Sequence, residues 1–246
     1  MTVSVAQIWR YPIKGISAEQ LAEVTLEQDR PLPFDRAWAI LEEHGDDTDG
    51  WRSCRNFLRG AKGPELMAIT TTTTGATIQL HHPKLPSLSI PLQPGSPTAL
   101  FDWLAQIYPT DRNAPTAMVK SPDAGMSDAP FASVSILNLS SLAALSEKAG
   151  QDLDVRRFRA NLWLEGLAPF EEYDLVGKAL SLGHTKMDVV EPIGRCRATE
   201  ANPQTGERDA LTLRLLENNW GHTNFGVYAK VVQGGKLTVG DKVTVL

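Results

Sequence analysis

Residues 194–209 of this chain read Gly194-Arg-Cys-Arg-Ala-Thr-Glu-Ala-Asn-Pro-Gln-Thr-Gly-Glu-Arg-Asp209. Two arginines flank Cys196, and nearby positive charge favours the thiolate over the thiol. The pairs Asn202-Pro203 and Thr205-Gly206 predict a sharp turn of the backbone soon after the sulfur. A buried structural cysteine more usually stands in an apolar strand. The stretch therefore predicts a loop that presents a thiol suited to reactivity or to metal binding.

The spacing around this thiol resembles the signature of the MOSC domain family, the molybdenum cofactor sulfurase C-terminal family. That signature is Arg-Cys-x-x-Thr-x-x-(Asp/Asn)-Pro-x-Thr-Gly, and here it runs from Arg195 to Gly206. Four further segments agree with the subgroup that has an additional N-terminal β domain, so the resemblance extends in order over nearly the whole chain. These segments are Tyr11-Pro-Ile-Lys-Gly15, Phe34-Asp-Arg-Ala-Trp-Ala-Ile40, Phe158-Arg-Ala-Asn161, and the ending Phe225-Gly-Val-Tyr-Ala229 with Gly234-Gly-Lys-Leu-Thr-Val-Gly-Asp241.

Short apolar runs interrupted by glycine and proline outnumber long helical repeats, which predicts a mostly β (α+β) architecture with a few helices. The resemblance implies an N-terminal MOSC-associated β domain over residues 1–120 and a MOSC domain, a β barrel, over residues 121–246. It also implies that segment 1–36 packs with the catalytic barrel. Between the two parts, Ser121–Pro130 is rich in turn formers and predicts either a domain linker or a mobile active-site loop.

Local patterns place the individual elements. Alternating or β-branched apolar residues predict strands, and capping and turn residues mark the ends of helices. The predicted helices are Thr98–Ile107, Ser140–Ala149 (capped by Asn138 or Ser140) and Ala210–Asn218 (capped by Asp209). The predicted strands are Val3–Trp9, Ala37–Leu41, Thr70–Thr74 paired with Thr77–Leu80, Arg159–Leu164, Ala179–Leu182 and Val243–Leu246, with Gly234-Gly235 as a hairpin turn between two further strands.

Composition narrows the class of protein. The 246 residues are 42% hydrophobic, enough to bury a sizeable core, and the formal net charge is −5. An acidic chain has no global positive field to attract nucleic acid or a membrane surface. No leader segment and no apolar run of about 20 residues is evident. We therefore expect a soluble cytoplasmic protein with neither nucleic acid nor membrane as a partner.

The cysteine and histidine positions argue against other metal sites. Cys54 and Cys196 are the two cysteines, so there is no CxxC pair, no disulfide framework and no set of about four cysteines for an iron–sulfur cluster. Cys54 also has arginine neighbours, but no family motif falls on it, and we expect a packed thiol. The histidines show no metal-ligand spacing; they are His44, His81, His82, His184 and His222.

The resemblance implies that Cys196 is the catalytic residue and a metal ligand, binding molybdenum beside the two dithiolene sulfurs of the molybdenum cofactor (Mo-molybdopterin). A soft thiolate suits a metal already bound by sulfur. The phosphate of the pterin needs local positive charge, which arginine and lysine supply. Gly15 replaces a small hydroxyl residue of some relatives, which leaves its backbone N–H as the donor. The residues at cofactor positions are Lys14, Gly15, Arg36, Asn138, Arg159, Asn161, Arg195 and Thr199.

The function that the resemblance implies is that of a molybdenum oxidoreductase similar to the amidoxime-reducing proteins, which remove oxygen from N-hydroxylated compounds. The chain ends at Leu246 without the ferredoxin-like module of some bacterial relatives. We therefore expect a separate electron-transfer protein, ferredoxin- or cytochrome-like with its reductase, as the partner. Pyridoxal phosphate is not expected.

Two alternatives remain open from the sequence. In the first, Cys196 carries sulfur as a persulfide, or carries the molybdenum cofactor to another enzyme, which needs the same activated thiol. In the second, Cys196 is a nucleophile activated by His184 or His222, which needs an imidazole within hydrogen-bond distance of the sulfur.

Overall fold

The computed structural model describes residues 2–246. This part of the chain contains the helices α1 (Thr98–Leu104), α2 (Leu139–Ala149) and α3 (Thr212–Trp220). None of the helices in residues 2–246 has the length and hydropathy that crossing a bilayer requires. The strands are β1 (Ser4–Arg10), β2 (Glu19–Leu21), β3 (Glu23–Leu26), β4 (Trp38–Glu42), β5 (Thr70–Thr74), β6 (Thr77–His82), β7 (Leu85–Pro91), β8 (Pro115–Lys120), β9 (Val134–Asn138), β10 (Leu162–Glu165), β11 (Ala179–Leu182), β12 (Thr185–Gly194), β13 (Asn224–Gln233), β14 (Gly235–Thr238) and β15 (Val243–Val245).

A large sheet has the strand order β15-β11-β12-β13-β9-β10-β1-β2. Strands β9 and β10 are parallel, and the other neighbours are antiparallel. Backbone bonds of 2.9 Å run from the N–H of Val5 to the carbonyl of Asp241 and from the N–H of Val243 to the carbonyl of Val3. These two bonds join β1 to the chain at the start of β15, which is the strand at the opposite end of the sheet order. The sheet thus curls around one core of aliphatic side chains.

Strands β4 to β8 build a smaller body. Strands β5, β6 and β7 form an antiparallel meander, and β4 pairs with β8. Helix α1 packs beside the meander, where Leu100 and Trp103 are buried together with Ile40 and Leu80. This second core is separate from the core of the large sheet.

The mostly-β prediction is confirmed, and most strands begin or end within two residues of their predicted positions. Two elements are shorter than predicted. Helix α1 ends at Leu104 rather than Ile107. Strand β10 begins at Leu162 rather than Arg159, because Arg159 adopts a left-handed conformation (φ 50°) at the end of a short 3-10 helix over Val155–Phe158.

Two predictions of local structure near the C-terminus are wrong. Asp209 does not cap α3, because its carboxylate accepts a hydrogen bond from Arg157 at 2.6 Å, and the helix begins only at Thr212. Gly234-Gly235 is not a hairpin turn, because β13 pairs with β12 and β9 whereas β14 pairs with β3. A Cβ atom at Gly234 would lie 2.6 Å from the carbonyl oxygen of Leu26, so the glycine permits a close crossing of two chain segments.

The N-terminal strands pair with strands of the C-terminal half, β1 and β2 in the large sheet and β3 in a separate two-stranded sheet. β1 pairs with β10 and with β2, and β3 pairs with β14. Residues 4–26 therefore belong structurally with the C-terminal half of the chain. The division of the chain at residue 120 stays a prediction.

Candidate functional site

A cavity of about 100 Å³ lies where the Cys196 loop meets the segment after β1 and the segment around Arg59. β12 ends at Gly194, and a short 3-10 helix over Arg197–Glu200 begins directly after Cys196. The N–H and hydroxyl of Thr199 both donate to the carbonyl of Cys196, at 3.2 and 3.1 Å. These bonds hold the cysteine backbone, and the residue itself stays exposed at the cavity.

The structure brings seven of the nine predicted site residues to this cavity and leaves two elsewhere. Asn138 is buried at the start of α2, where its side chain accepts from Ser140 and donates to the carbonyl of Ala168. Asn161 is buried as well, and its amide oxygen accepts from the N–H and hydroxyl of Ser135. Both side-chain amides therefore connect neighbouring segments of the fold and do not line the cavity. The residues that do line the cavity are Lys14, Gly15, Arg36, Arg159, Arg195, Cys196 and Thr199.

Arg159 and Arg195 bind backbone carbonyls. The Arg159 guanidinium donates to Ser17 and Ile16, at 3.0 and 2.9 Å, and lies 4.3 Å from the centre of the Tyr11 ring. Burial, with Arg36 as a like charge, lowers the pKa of Arg159 to about 10. Arg195 donates to the carbonyls of Phe225 and Phe158, both at 2.8 Å. These two arginines shape the cavity wall while adding positive charge to it.

Lys14 and Arg36 form one corner of the cavity, where each cation pairs with a carboxylate. The Lys14 ammonium is buried and donates to the carbonyl of Met126 at 2.7 Å and to the carboxylate of Asp128 at 2.6 Å. Arg36 pairs with Asp35 and donates to the carbonyl of Arg159 at 2.7 Å. Burial alone would raise the pKa of Asp128, but Lys14, together with Arg36 and Arg195, outweighs burial and holds that pKa below its ordinary value. Asp128 is thus an ionised carboxylate at a site rich in cations.

Arg195 favours the thiolate of Cys196, as predicted, but the net shift of the pKa is upward. Although Cys196 is exposed to the cavity, the surrounding protein atoms partly desolvate its sulfur and raise the pKa of the thiol. The N–H of Ala198 lowers this pKa and the Asp128 carboxylate raises it further. Arg195 lowers this pKa by less than burial raises it. The side chain of Arg197 is 64% exposed and bonds to Glu200 at 2.9 Å. Of the two flanking arginines, only Arg195 is among the groups that shift the pKa of this sulfur, and its effect is smaller than that of burial.

The cavity residues that the sequence prediction missed include Cys54, Arg59 and Asp128. Cys54 was expected to be a packed thiol, yet it lines the cavity and accepts a hydrogen bond from Arg59 at 2.9 Å. One signal was present, since Cys54 stands between Arg52 and Arg55 much as Cys196 stands between its two arginines. Asp128 lies within the predicted loop Ser121–Pro130.

No histidine lines the cavity in the part of the chain that the structure describes. His222 instead packs edge-on against the Tyr173 ring, with centroids 5.4 Å apart. The backbone of His184 lies beside Gly235, where a Cβ would be 2.5 Å from the His184 carbonyl oxygen. The alternative of a cysteine nucleophile activated by His184 or His222 has no imidazole to support it.

The residues present suit the predicted molybdenum cofactor. A cavity that combines an accessible sulfur with lysine and arginine donors offers a soft ligand for a metal and cationic partners for a phosphate. Cys196 would hold the metal, and Lys14, Arg36 and the backbone of Gly15 would hold the phosphate. A Cβ at Gly15 would lie 2.1 Å from the carbonyl oxygen of Leu58. Only glycine therefore fits at this point of the wall.

Comparison with known proteins gives two matches to family models. The model described as MOSC domain matches residues 123–244, and the model described as MOSC N-terminal beta barrel domain matches residues 2–114. The crystal structure of the YUAD protein from Bacillus subtilis has a TM-score of 0.51 at 13% sequence identity, covering 99% of this chain and 94% of that chain. At this identity the likeness concerns the fold alone.

Two kinds of curated relative are similar in sequence. Mitochondrial amidoxime-reducing component 1 of Xenopus laevis is 25% identical over 289 residues, which covers 97% of this chain and 81% of that protein. Molybdenum cofactor sulfurase of Drosophila yakuba is 36% identical over 119 residues, which covers 45% of this chain. The match spans 15% of the length of that sulfurase.

Proposed function

The chain belongs to the MOSC domain family, with the N-terminal MOSC β-barrel domain as its first part, and from this we propose that it is a molybdenum-cofactor-dependent oxidoreductase acting on N-hydroxylated compounds. The observation that carries the proposal is the placement of the Cys196 sulfur in one cavity with Lys14 and Arg36. The relative that matches along nearly the whole chain is named for amidoxime reduction.

Four of the cavity residues have a specific part in this proposal. Cys196 would hold the metal as a thiolate, and metal binding would offset the cost of ionising a sulfur whose pKa burial raises. Lys14 and Arg36 bind the phosphate of the pterin, and Arg159 holds the loop Ile13–Ser17 that carries Lys14. Bound molybdenum would supply exchange of an oxygen atom with the substrate and of electrons with a donor.

The overall reaction consumes two electrons and two protons for each N-hydroxylated molecule and releases the dehydroxylated nitrogen compound and water. We propose that a separate electron-transfer protein supplies the electrons. In this proposal Asp128 stays ionised beside Lys14 and lowers the net positive charge that the bound phosphate meets.

The test is the molybdenum content per chain, measured by mass spectrometry on protein purified from a host that makes the cofactor. We expect nearly one molybdenum per wild-type chain and a loss of most of it in Cys196→Ser. Cys54→Ser is the matched control, since it removes the other thiol of the same cavity and is expected to keep the metal. Absence of molybdenum from the wild type, or equal content in both variants, would contradict the proposal.

A second candidate function is that of a carrier of sulfur or of the molybdenum cofactor. The exposure of Cys196 favours this function. An exposed sulfur can pass a persulfide sulfur to a partner, whereas a metal-bound sulfur cannot. Alkylation with iodoacetamide distinguishes the two. A sulfur carrier would have a free thiol or persulfide at Cys196 in protein purified from the same host, with no molybdenum bound, whereas a cofactor carrier would hold molybdenum but reduce no N-hydroxylated compound.

A further inference from the structure

We propose that Arg59 binds an anionic oxygen of the substrate, and that the compounds which react at Cys196 carry a carboxylate or a similar oxyanion. The proposal rests on the function proposed above and adds the charge class of the substrate. Five arginines line the cavity, and Arg59 differs from the other four in the hydrogen-bond acceptors of its guanidinium group. These arginines are Arg36, Arg59, Arg157, Arg159 and Arg195.

Arg59 alone among these five lacks an oxygen acceptor within residues 2–246. Its Nη1 donates to the sulfur of Cys54 at 2.9 Å, and its Nε is buried without a partner. The other four guanidinium groups bind oxygens: Arg36 those of Asp35 and Arg159, Arg157 those of Asp209 and Glu200, Arg159 those of Ser17 and Ile16, and Arg195 those of Phe225 and Phe158.

No carboxylate neutralises Arg59 in the described part of the chain. Glu42, on the adjacent strand β4, is already occupied, because Lys62 donates to it at 2.5 Å and the Tyr108 hydroxyl at 2.9 Å. A guanidinium carries five N–H donors, and leaving them without acceptors in a partly buried site is costly. A bound oxyanion would satisfy these donors, with charge-assisted hydrogen bonds that are stronger than neutral ones.

The backbone holds Arg59 between the phosphate corner and the reactive sulfur. On one side, a Cβ at Gly15 would lie 2.9 Å from the Cα of Arg59. On the other side, a Cβ at Gly60 would lie 3.5 Å from the Cβ of Ala198, two residues after Cys196. The N–H groups of Lys62 and Gly63 both donate to the carbonyl of Arg59, at 3.0 and 3.1 Å, and fix the turn.

This position favours the substrate over the cofactor as the source of the anion. Lys14 and Arg36 already provide cationic donors for the cofactor phosphate at their own corner of the cavity. Arg59 contacts Cys54, and both line the cavity into which Cys196 opens. An anionic group held at Arg59 would therefore orient the rest of a small molecule towards Cys196.

The test compares two probes, N-hydroxybenzamidine and the same compound with a para carboxylate, by calorimetric binding to the full chain purified with its cofactor. We expect the wild type to bind the carboxylate probe at least about tenfold more tightly, as a charge-assisted hydrogen bond predicts. Arg59→Gln should remove this preference and Arg59→Lys should keep part of it. Arg112→Gln, at an exposed arginine of the same half of the chain, is the control and should behave as the wild type. Equal preference in the wild type and in Arg59→Gln would overturn the proposal.

Two further measurements separate the sources of the anion. If Arg59→Gln keeps wild-type molybdenum and pterin content, the anion belongs to the substrate, as proposed; if that content falls, the anion belongs to the cofactor and the substrate assignment is overturned. Binding requires no turnover. Failure of the wild type to reduce either probe would therefore count against the proposed function, while the binding comparison still decides the role of Arg59.

Discussion

The pKa of the Cys196 thiol depends in part on groups that are distant from it in sequence. Asp128 comes from the loop before β9 and Lys14 from the segment after β1, and the two meet at the cavity. Asp128 raises the pKa of the Cys196 thiol, though less than burial does. The carboxylate therefore restrains the thiol in the metal-free protein, and the phosphate that we place at Lys14 would compete with it for the same ammonium.

Replacement of Asp128 by Asn should make the metal-free thiol more reactive. Loss of the carboxylate lowers the pKa of Cys196 and leaves the charge of Lys14 uncompensated, so both changes increase the thiolate fraction. The measurement is the rate of alkylation by iodoacetamide between pH 7 and 9, in a Cys54→Ser background. We expect the rate near pH 7 to rise by about tenfold for each unit by which the pKa falls. Asp123→Asn, at an exposed position of the same loop, should have no effect, and an unchanged rate in Asp128→Asn would contradict the argument.

At the scale of elements, a buried carboxylate joins α2 to the 3-10 helix over Glu171–Leu175. Glu172 accepts from the hydroxyl of Ser141 at 2.7 Å and from the amide of Asn138 at 3.2 Å, both at the start of α2. Its second carboxylate oxygen is buried without a donor. Burial raises the pKa of Glu172 because these bonds only partly offset the loss of water.

Glu172→Gln should stabilise the chain at neutral pH. A raised folded-state pKa means that Glu172 favours folding while protonated, and this contribution is lost as pH rises from about 4.3, the unfolded pKa of glutamate, through the folded value. Glutamine keeps one oxygen to accept from Ser141 and Asn138 and removes the buried charge. The midpoint of thermal unfolding, measured from pH 4.5 to 8, should fall with pH in the wild type by more than in the variant. Each kcal/mol of change in the free energy of unfolding shifts this midpoint by about 2–4 °C. The control is Glu147→Gln, at an exposed position of α2, which should behave as the wild type. A Glu172→Gln protein less stable than the wild type at pH 8 would refute the prediction.

The elements that the sequence predicted well depend on local information. Asn138 accepts from Ser140 and Gly150 ends α2 in the left-handed conformation, so adjacent residues determine both ends of this helix. The errors involve distant partners. Asp209 had the chemistry of a helix cap, but Arg157 outcompetes the N–H groups of α3 for its carboxylate. Likewise Arg59 and Cys54 carry no family motif, and only the fold brings them beside Cys196.

At the scale of the whole molecule, the N-terminal segment completes the large sheet. Val5, Ile8 and Leu26 are at most 1% exposed and belong to the core of that sheet. Burial of each such side chain contributes about 1.5–3 kcal/mol. Without β1, the edge of β10 would also lose its antiparallel partner. The resemblance anticipated that segment 1–36 packs with the barrel, but the pairing of β3 with β14 was not apparent from the sequence.

A chain of residues 121–246 alone should therefore fail to fold cooperatively, although one family model matches almost this range. The N–H of Ser121 donates to the carbonyl of Ala37 at 2.9 Å, so residues 2–37 can be joined to residues 121–246 by a short glycine-serine linker. This joined chain regains β1, β2 and β3, and we expect it to show a cooperative thermal transition by circular dichroism and a monomeric or other discrete species in gel filtration. It should be less stable than the full chain, because Ile13 and Ile16 lose the core of the smaller body. A cooperative transition in residues 121–246 alone would instead show that the MOSC domain folds without the N-terminal strands, and would support the division at residue 120.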